Sequence, residues 1–256
     1  MSKKHHSLRS AIAAAALCGF SGWAGADEIR LLSAASMQTV FGEIVGDFER
    51  GSGHKVWLRY GTMGAITNRV LGGEDADLVI SSPASISALS SKGKIRPGSE
   101  VLIARTGVGM VVPAGYAMHR MASVDDFKQA LLDARVIVYA NPAGGGAAGV
   151  HIAKVIDKLG LTEALRAKTR FGAGGDVAEM TVAQGSGALG LTQVSEIVGK
   201  EGMQFVAMPQ ELQNYTGFVA GIPSGAKESA ATRDFIEFLN TPESRAVMKA
   251  RGMAVD

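Results

Sequence analysis

Four short segments rich in small and hydroxyl residues separate a predicted strand from a predicted helix, at residues 33–36, 61–64, 144–149 and 174–177. The first N–H groups of a helix have no partner within the helix, and the helix dipole adds partial positive charge there. In open α/β sheets such segments gather at the carboxyl ends of the strands, where ligands bind. Helix N-termini that meet there can hold an anion without lysine or arginine. The residue types therefore favour anion binding by neutral donors.

A glycine pattern in the third segment supports a different chemistry, the binding of a nucleotide. Gly144, Gly146 and Gly149 satisfy G-x-G-x-x-G between a predicted strand and a predicted helix, which is typical of dinucleotide-binding loops. Residues 141–143 intervene between the strand and the first glycine, however, and no later strand ends in the acidic residue that would bind a ribose. A secreted nucleotide-dependent enzyme that uses residues 144–149 is the alternative from a different functional class.

Other catalytic patterns are missing from the sequence. It has no G-x-S-x-G elbow and no GK[ST] phosphate loop, and the histidines outside the N-terminal segment are scattered at His54, His119 and His151. A lone histidine is more often a packing or surface residue than a ligand or base. We therefore expect no catalytic residue, no metal site and no cofactor.

The N-terminal residues have the three-part layout of a secretion signal. An apolar run at residues 11–20 precedes the small residues 24–26 and follows three basic residues, Lys3, Lys4 and Arg9. This pattern predicts a signal peptide over residues 1–26, cleaved near Ala26, and a periplasmic mature protein. The only cysteine, Cys18, lies inside this segment, so the mature chain should contain no disulfide and no Cys-ligated metal.

The charge balance argues against nucleic acid as a partner. Cleavage would remove three of the 26 basic residues and none of the 24 acidic ones, which leaves 23 against 24. A nearly neutral surface lacks the basic stripe that binds phosphate backbones. No later segment is long and apolar enough for a membrane helix. We expect a monomer whose ligand is a small molecule.

The elements that position the four segments follow a repeated order of strand, loop and amphipathic helix. Apolar strands are predicted at residues 28–32, 55–60 and 77–81, each followed by a helix, and this order predicts a parallel sheet covered on both faces. After Ser36 at a predicted N-cap, the first helix begins at Met37 and ends at Gly51. Ser123 and Asp126 have the spacing of a capping box.

Two crossings divide the mature chain into two predicted lobes. Residues 100–113 are interpreted as two strands, 101–104 and 108–112, broken at Thr106 and Gly107, and residues 217–222 as the return crossing. Lobe 1 then comprises residues 27–107 and 217–256, and lobe 2 comprises residues 108–216. The predicted fold class is therefore a two-lobed α/β protein with a ligand cleft between the lobes.

With these segments placed, the mature chain resembles the periplasmic molybdate-binding proteins of ABC importers along nearly its whole length. The matching motifs are Leu-Leu-Ser-Ala-Ala-Ser at 31–36, Ala-Asp-Leu-Val-Ile-Ser at 76–81, Asn-Pro at 141–142, Ala-Gly at 148–149, Asp-Val at 176–177 and Gly-Ala-Leu-Gly-Leu at 187–191. The resemblance implies a type II periplasmic-binding fold that closes over its ligand by a hinge.

The resemblance also implies a set of ligand-binding residues, with two departures from the family. Ser36 matches the first serine of the family site, and Ala148, with Gly149, and Val177 match its backbone donors. The second serine loop has Thr62 and Met63 here, and the tyrosine position has Gln193. Each missing hydrogen bond to a charged group reduces affinity by about 1.5–3 kcal/mol. Thr62 could supply a hydroxyl and Gln193 an amide N–H, so an oxyanion remains the expected ligand.

The resulting expectation is a non-enzymatic substrate-binding protein that captures molybdate or a similar tetrahedral oxyanion for an ABC importer. Its partners would be the small anionic ligand and the importer's membrane permease. An organic carboxylate ligand in the same role is the alternative.

Overall fold

The computed structural model describes residues 27–117, 121–227 and 229–255. The predicted signal peptide and His119 lie outside these residues. The strands are β1 (Glu28–Ala34), β2 (Lys55–Gly61), β3 (Leu78–Ser81), β4 (Val101–Pro113), β5 (Val136–Ala140), β6 (Thr169–Gly172), β7 (Ala188–Gln193), β8 (Met203–Ala207), β9 (Tyr215–Gly221) and β10 (Met253–Ala254). The helices are α1 (Gln38–Ser52), α2 (Met63–Leu71), α3 (Pro83–Ser91), α4 (Val124–Asp133), α5 (Ala147–Lys158), α6 (Thr162–Arg166), α7 (Val177–Gln184), α8 (Ala230–Leu239) and α9 (Pro242–Ala250).

The strands form one continuous sheet with two parallel parts. Its order is β2-β1-β3-β9-β4-β7-β5-β6, and β8 and β10 also pair with β4. β1 is parallel to β2 and β3, and β5 is parallel to β6 and β7. β9 is antiparallel to both β3 and β4. The predicted strand-helix units therefore form parallel sheets as expected, joined through long antiparallel strands.

The first crossing is one strand, and the predicted break at Thr106 and Gly107 is wrong. β4 pairs with β9 through Gly107, which lies opposite Tyr215, and from Val108 onward it pairs with β7. The side-chain amide of Gln213 bridges this change of partner, because it accepts from the Val108 N–H at 2.7 Å and donates to the Val108 carbonyl at 2.9 Å. The backbone groups are thus satisfied without interrupting the strand.

Separate cores cover the two parts of the sheet. Under α1 and α8, Phe41, Phe48 and Phe235 pack with Phe218 of β9, and the rings of Phe48 and Phe235 meet edge to face at 4.9 Å. A second core joins α4 and α5 to β4, β5 and β7, with Phe127 fully buried at its centre. Each such buried side chain stabilises the fold by roughly 1.5–3 kcal/mol.

The ends of the first helix differ from prediction, whereas the capping box at the start of α4 is confirmed. α1 begins at Gln38 and runs to Ser52, with Gly53 in the left-handed conformation as its C-cap. Ser123 accepts from the Asp126 N–H, and the Asp126 carboxylate accepts from the Ser123 N–H. Across the described part of the chain, no helix has the length and apolarity needed to cross a membrane.

Candidate functional site

A small cavity lies where the carboxyl ends of β1, β2, β5 and β7 meet. It has about 40 Å³ of space for the centres of water molecules, and since one water needs roughly 10–15 Å³ of such space, about three waters or one small ion would fit. The residues that line this central cavity are Ala34, Ala35, Ser36, Gly61, Thr62, Met63, Ala140, Gly146, Ala147, Ala148, Gly149, Gly174, Gly175, Thr192, Gln193 and Glu196.

The cavity brings together six of the seven residues that the sequence singled out. These are Ser36, Thr62, Met63, Ala148, Gly149 and Gln193. Val177 is not among the lining residues: its side chain is fully buried beside Val136, Val138 and Ala188. Gly174 and Gly175, which precede α7, line the cavity instead.

Two helices begin at the cavity wall and leave N–H groups unused by the helix. In α2 the first intrahelical bond runs from the Ile66 N–H to the Thr62 carbonyl at 2.9 Å, and in α5 from the Val150 N–H to the Gly146 carbonyl at 3.0 Å. The Ala65 N–H is taken by the Thr62 hydroxyl at 3.1 Å. The N–H groups of residues 63–64 and 147–149, with the positive ends of the helix dipoles, are not used within the helices. No lysine or arginine is among the described residues that line the cavity, so an anion there would rely on neutral donors.

Ser36 lies in a one-turn 3-10 helix, Ala35–Met37, that joins β1 to α1. The predicted N-cap role is therefore wrong, because Met37 occupies the N-cap of α1. Ser36 is 6% exposed and its carbonyl accepts from the Ser195 hydroxyl at 3.1 Å. This bond fixes the turn against the residues that follow β7.

The Thr62 hydroxyl already forms two hydrogen bonds within the protein. It accepts from the Ala65 N–H at 3.1 Å as the N-cap of α2, and it donates to the Gly144 carbonyl. Its single proton is therefore used in this conformation. The Met63 side chain is 6% exposed and packs into the core under α1. This loop consequently offers a ligand backbone N–H groups rather than a side-chain hydroxyl.

The glycines of residues 144–149 serve close packing. A Cβ on Gly149 would stand 2.3 Å from the Ala140 carbonyl oxygen, so α5 can approach β5 only because residue 149 has no side chain. On the side of this loop that faces α2, a Cβ added at Gly64 would stand 3.2 Å from the Gly144 carbonyl oxygen and 3.3 Å from the Gly145 Cα. Gly149 thus serves helix–strand packing, whereas Gly144 and Gly145 stay exposed at an open pocket.

Gln193 ends β7 with its side chain buried at the cavity. The residue is 3% exposed, and its amide oxygen has no hydrogen-bond partner. An unpaired buried acceptor is unfavourable by about 1–3 kcal/mol. Rotating the amide by half a turn would present its N–H groups to an anion in the cavity instead.

Glu196 is the functional candidate that the sequence analysis missed. It lies in the 3-10 turn Val194–Glu196 after β7, is 6% exposed and accepts from the Thr192 hydroxyl. Burial raises the pKa of its carboxyl to about 7, against the opposing effect of the Thr192 hydrogen bond. A glutamate after a strand is ordinarily solvated, so no pattern in the sequence marked this burial. Nowhere in the described residues do three or more His, Cys, Asp or Glu side chains group as metal ligands.

Comparison with known proteins identifies the family of this chain. Residues 29–254 match the family described as bacterial extracellular solute-binding protein. The chain is 29% identical to the molybdate-binding protein ModA of Rhodobacter capsulatus over the full length of both proteins. It is 24% identical to an aconitate isomerase of a Pseudomonas species, over 88% of this chain and 87% of that protein.

A solved structure gives the same fold. The periplasmic molybdate-binding protein of Azotobacter vinelandii superposes with a TM-score of 0.76 at 20% identity, covering 89% of this chain and 99% of that one. The predicted two-lobed type II periplasmic-binding fold and the resemblance to molybdate-binding proteins are thus confirmed. The chain belongs to the family of bacterial extracellular solute-binding proteins.

Proposed function

We propose that this protein captures a small tetrahedral oxyanion, molybdate first among them, and delivers it to the permease of an ABC importer. The observation that carries the proposal is the central cavity, whose size matches one small ion and whose wall combines helix N-termini with no lysine or arginine. Neutral donors at helix N-termini can bind an anion through unpaired N–H groups and the helix dipole. The full-length relative named for molybdate supports the same ligand class.

The proposal includes two lobes that close on the ligand. We place lobe 1 at residues 27–107 and 217–256 and lobe 2 at residues 108–216. Contacts between the two parts support closure, since Thr62 donates to the Gly144 carbonyl and Ser195 to the Ser36 carbonyl. Export by the signal peptide, a periplasmic location and a monomeric state complete the proposed role. Val177 stays in the proposed site only through its backbone N–H at the start of α7.

An isomerase acting on a tricarboxylate is the second candidate, favoured by the relative named aconitate isomerase and by the buried carboxyl of Glu196. Such a reaction moves a proton between carbons and needs an acid-base group near neutral pH. Against it stands the small size of the central cavity in this conformation, which has room for about three waters. A larger open space lined by Thr62, Gly144 and Gly174 adjoins it.

Calorimetry on the mature chain separates these functions. Molybdate, tungstate, sulfate and cis-aconitate would be titrated into residues 27–256, and aconitate isomerisation would be followed by chromatography. We expect molybdate to bind and to stabilise the folded state by about 2.7 kcal/mol at a hundred times its Kd, with no isomerisation. Binding of the tricarboxylate with no molybdate binding at millimolar concentration would overturn the proposal, and turnover would establish the second candidate.

A further inference from the structure

Glu196 lies between two cavities. On one side it lines the central cavity, and on the other it lines an open pocket with about 510 Å³ of space for water centres. This outer pocket is also lined by Tyr60, Glu179 and Lys200. Glu196 is 6% exposed, so this buried residue borders both spaces and separates them.

A carboxyl group is an unusual component of an anion site. Glu196 is the only ionisable side chain among the described residues that line the central cavity. If ionised, it would repel a bound oxyanion at close range in a site that excludes water. If protonated, it removes this repulsion and adds one O–H donor. The ligand and the proton therefore favour each other's binding.

The groups around Glu196 hold the pKa of its carboxyl near neutral pH. The effects that raise the pKa to about 7 are burial, which is the largest, and the negative charges of Glu179 on α7 and Asp176 at its start. The Thr192 hydrogen bond and the charge of Lys200 lower the pKa. Lys200 is itself paired with Glu179. From β2, burial raises the pKa of Tyr60 to about 12, so this phenol stays neutral.

We propose that Glu196 makes anion binding proton-linked: the oxyanion binds together with one proton, which the Glu196 carboxyl holds as a donor toward the central cavity. The inference rests on the proposed function, because it concerns the same anion site. A bound dianion raises the affinity of the carboxyl for its proton further. At alkaline pH, one proton is then taken from solvent, by way of the outer pocket, for each anion bound. At acidic pH, the proton is already in place and none is taken up.

The sign of the pH dependence follows from this linkage. Below the free carboxyl's pKa of about 7, Kd is independent of pH, and above it Kd rises tenfold per pH unit. The free protein is mostly protonated at pH 6 and mostly ionised at pH 8, so we expect roughly tenfold weaker binding at pH 8. Molybdate and sulfate both remain dianions at these pH values, so the ligand contributes no titration of its own.

The test is calorimetry of molybdate binding to the mature chain at pH 6 and pH 8, in buffers of different ionisation enthalpy that report proton uptake. We expect uptake of nearly one proton per anion at pH 8 and almost none at pH 6. Glu196→Gln should remove both the proton uptake at pH 8 and the difference in Kd between pH 6 and pH 8. Glu179→Gln is the matched control, because it removes a neighbouring carboxylate and should leave the proton uptake.

Thr192→Val provides a second test if Glu196→Gln does not fold. The Thr192 hydroxyl donates to the carboxylate, so its removal should raise the pH at which affinity begins to fall. Molybdate binding that is equal at pH 6 and pH 8, without proton uptake, would overturn the inference and leave the proposed function standing. If the folded protein binds neither molybdate nor sulfate at either pH, the proposed function fails, and the proton linkage fails with it.

Discussion

The two walls of the central cavity are built differently. The N-terminal wall (residues 34–36 and 61–63) consists of turns whose hydroxyls and carbonyls are partly used in internal bonds, as at Thr62 and Ser36. The C-terminal wall (residues 140–196) carries the cavity's buried amide, Gln193, and its buried carboxyl, Glu196. Under the proposed function, helix ends on both walls would contribute generic anion affinity, and the C-terminal wall would add a buried amide and a buried carboxyl.

Packing constraints differ between the walls as well. In the C-terminal wall, an added Cβ at Gly149 would meet a backbone carbonyl at 2.3 Å, a contact that only movement of α5 or β5 could relieve. In the N-terminal wall, an added Cβ at Gly61 would meet side-chain carbons at 3.4 Å, an ordinary contact. The C-terminal wall should therefore tolerate substitution less well.

Gly149→Ala should have the largest effect. The new methyl group would push α5 away from β5, and such overpacking against backbone should destabilise the fold by about 3 kcal/mol. Urea unfolding followed by circular dichroism measures the change in the free energy of unfolding. Gly42→Ala on α1 is the control, because nothing lies within 4 Å of the added atom, and it should stabilise the protein by roughly 0.5–1 kcal/mol. A Gly149→Ala variant as stable as Gly42→Ala would contradict the tight contact between α5 and β5.

The N-terminal wall was the more predictable of the two from sequence. Local periodicity and turn residues marked the ends of β1 and β2 and the start of α5, and because the carboxyl ends of parallel strands share one edge, these segments could be placed at one site. Strand-helix units are encoded locally, so the segments followed from pattern. The individual residues Ser36, Thr62 and Ala148 were instead inferred from the resemblance to molybdate-binding proteins.

The rest of the fold and of the site depends on contacts between residues that are distant in sequence, which no local pattern encodes. Glu196 is buried because the turn around Ser36 and α1 pack against the residues after β7. β4 continues through Gly107 because Gln213, more than a hundred positions away, satisfies the backbone of Val108. The short elements β6 and α6 were also missed, since each has too few residues to show periodicity. The hydrogen bond that occupies the Thr62 hydroxyl likewise involves a distant residue, Gly144.

Ser36→Ala should have the second-largest effect, and it tests whether the N-terminal wall supplies a side-chain donor. If the Ser36 hydroxyl donates to the anion, its loss should reduce molybdate affinity by about 1.5–3 kcal/mol, or tenfold to a hundredfold. Stability should change little, because the Ser36 group that bonds to Ser195 is its carbonyl. Calorimetry gives the affinity, and thermal unfolding without ligand gives the stability. Unchanged affinity would assign this wall's contribution to backbone N–H groups alone.

Gly64→Ala should have the smallest effect, because it changes only the contact between the walls. The added Cβ would stand 3.2 Å from the Gly144 carbonyl and 3.3 Å from the Gly145 Cα, so the loops must separate by a few tenths of an ångström. Residue 64 lies in the first turn of α2, where alanine is a better helix former than glycine. The ligand-bound form, in which the two loops meet, should therefore be strained. The lobe that contains residue 64 should remain folded. We expect molybdate affinity to fall about fivefold, or roughly 1 kcal/mol, with unchanged or slightly higher thermal stability in the absence of ligand.

Small-angle scattering should show less compaction on binding than in wild type, whereas Gly42→Ala should bind and compact normally. A Gly64→Ala variant with full affinity and full compaction would show that the walls need not meet at Gly144 and Gly145 when the ligand is bound.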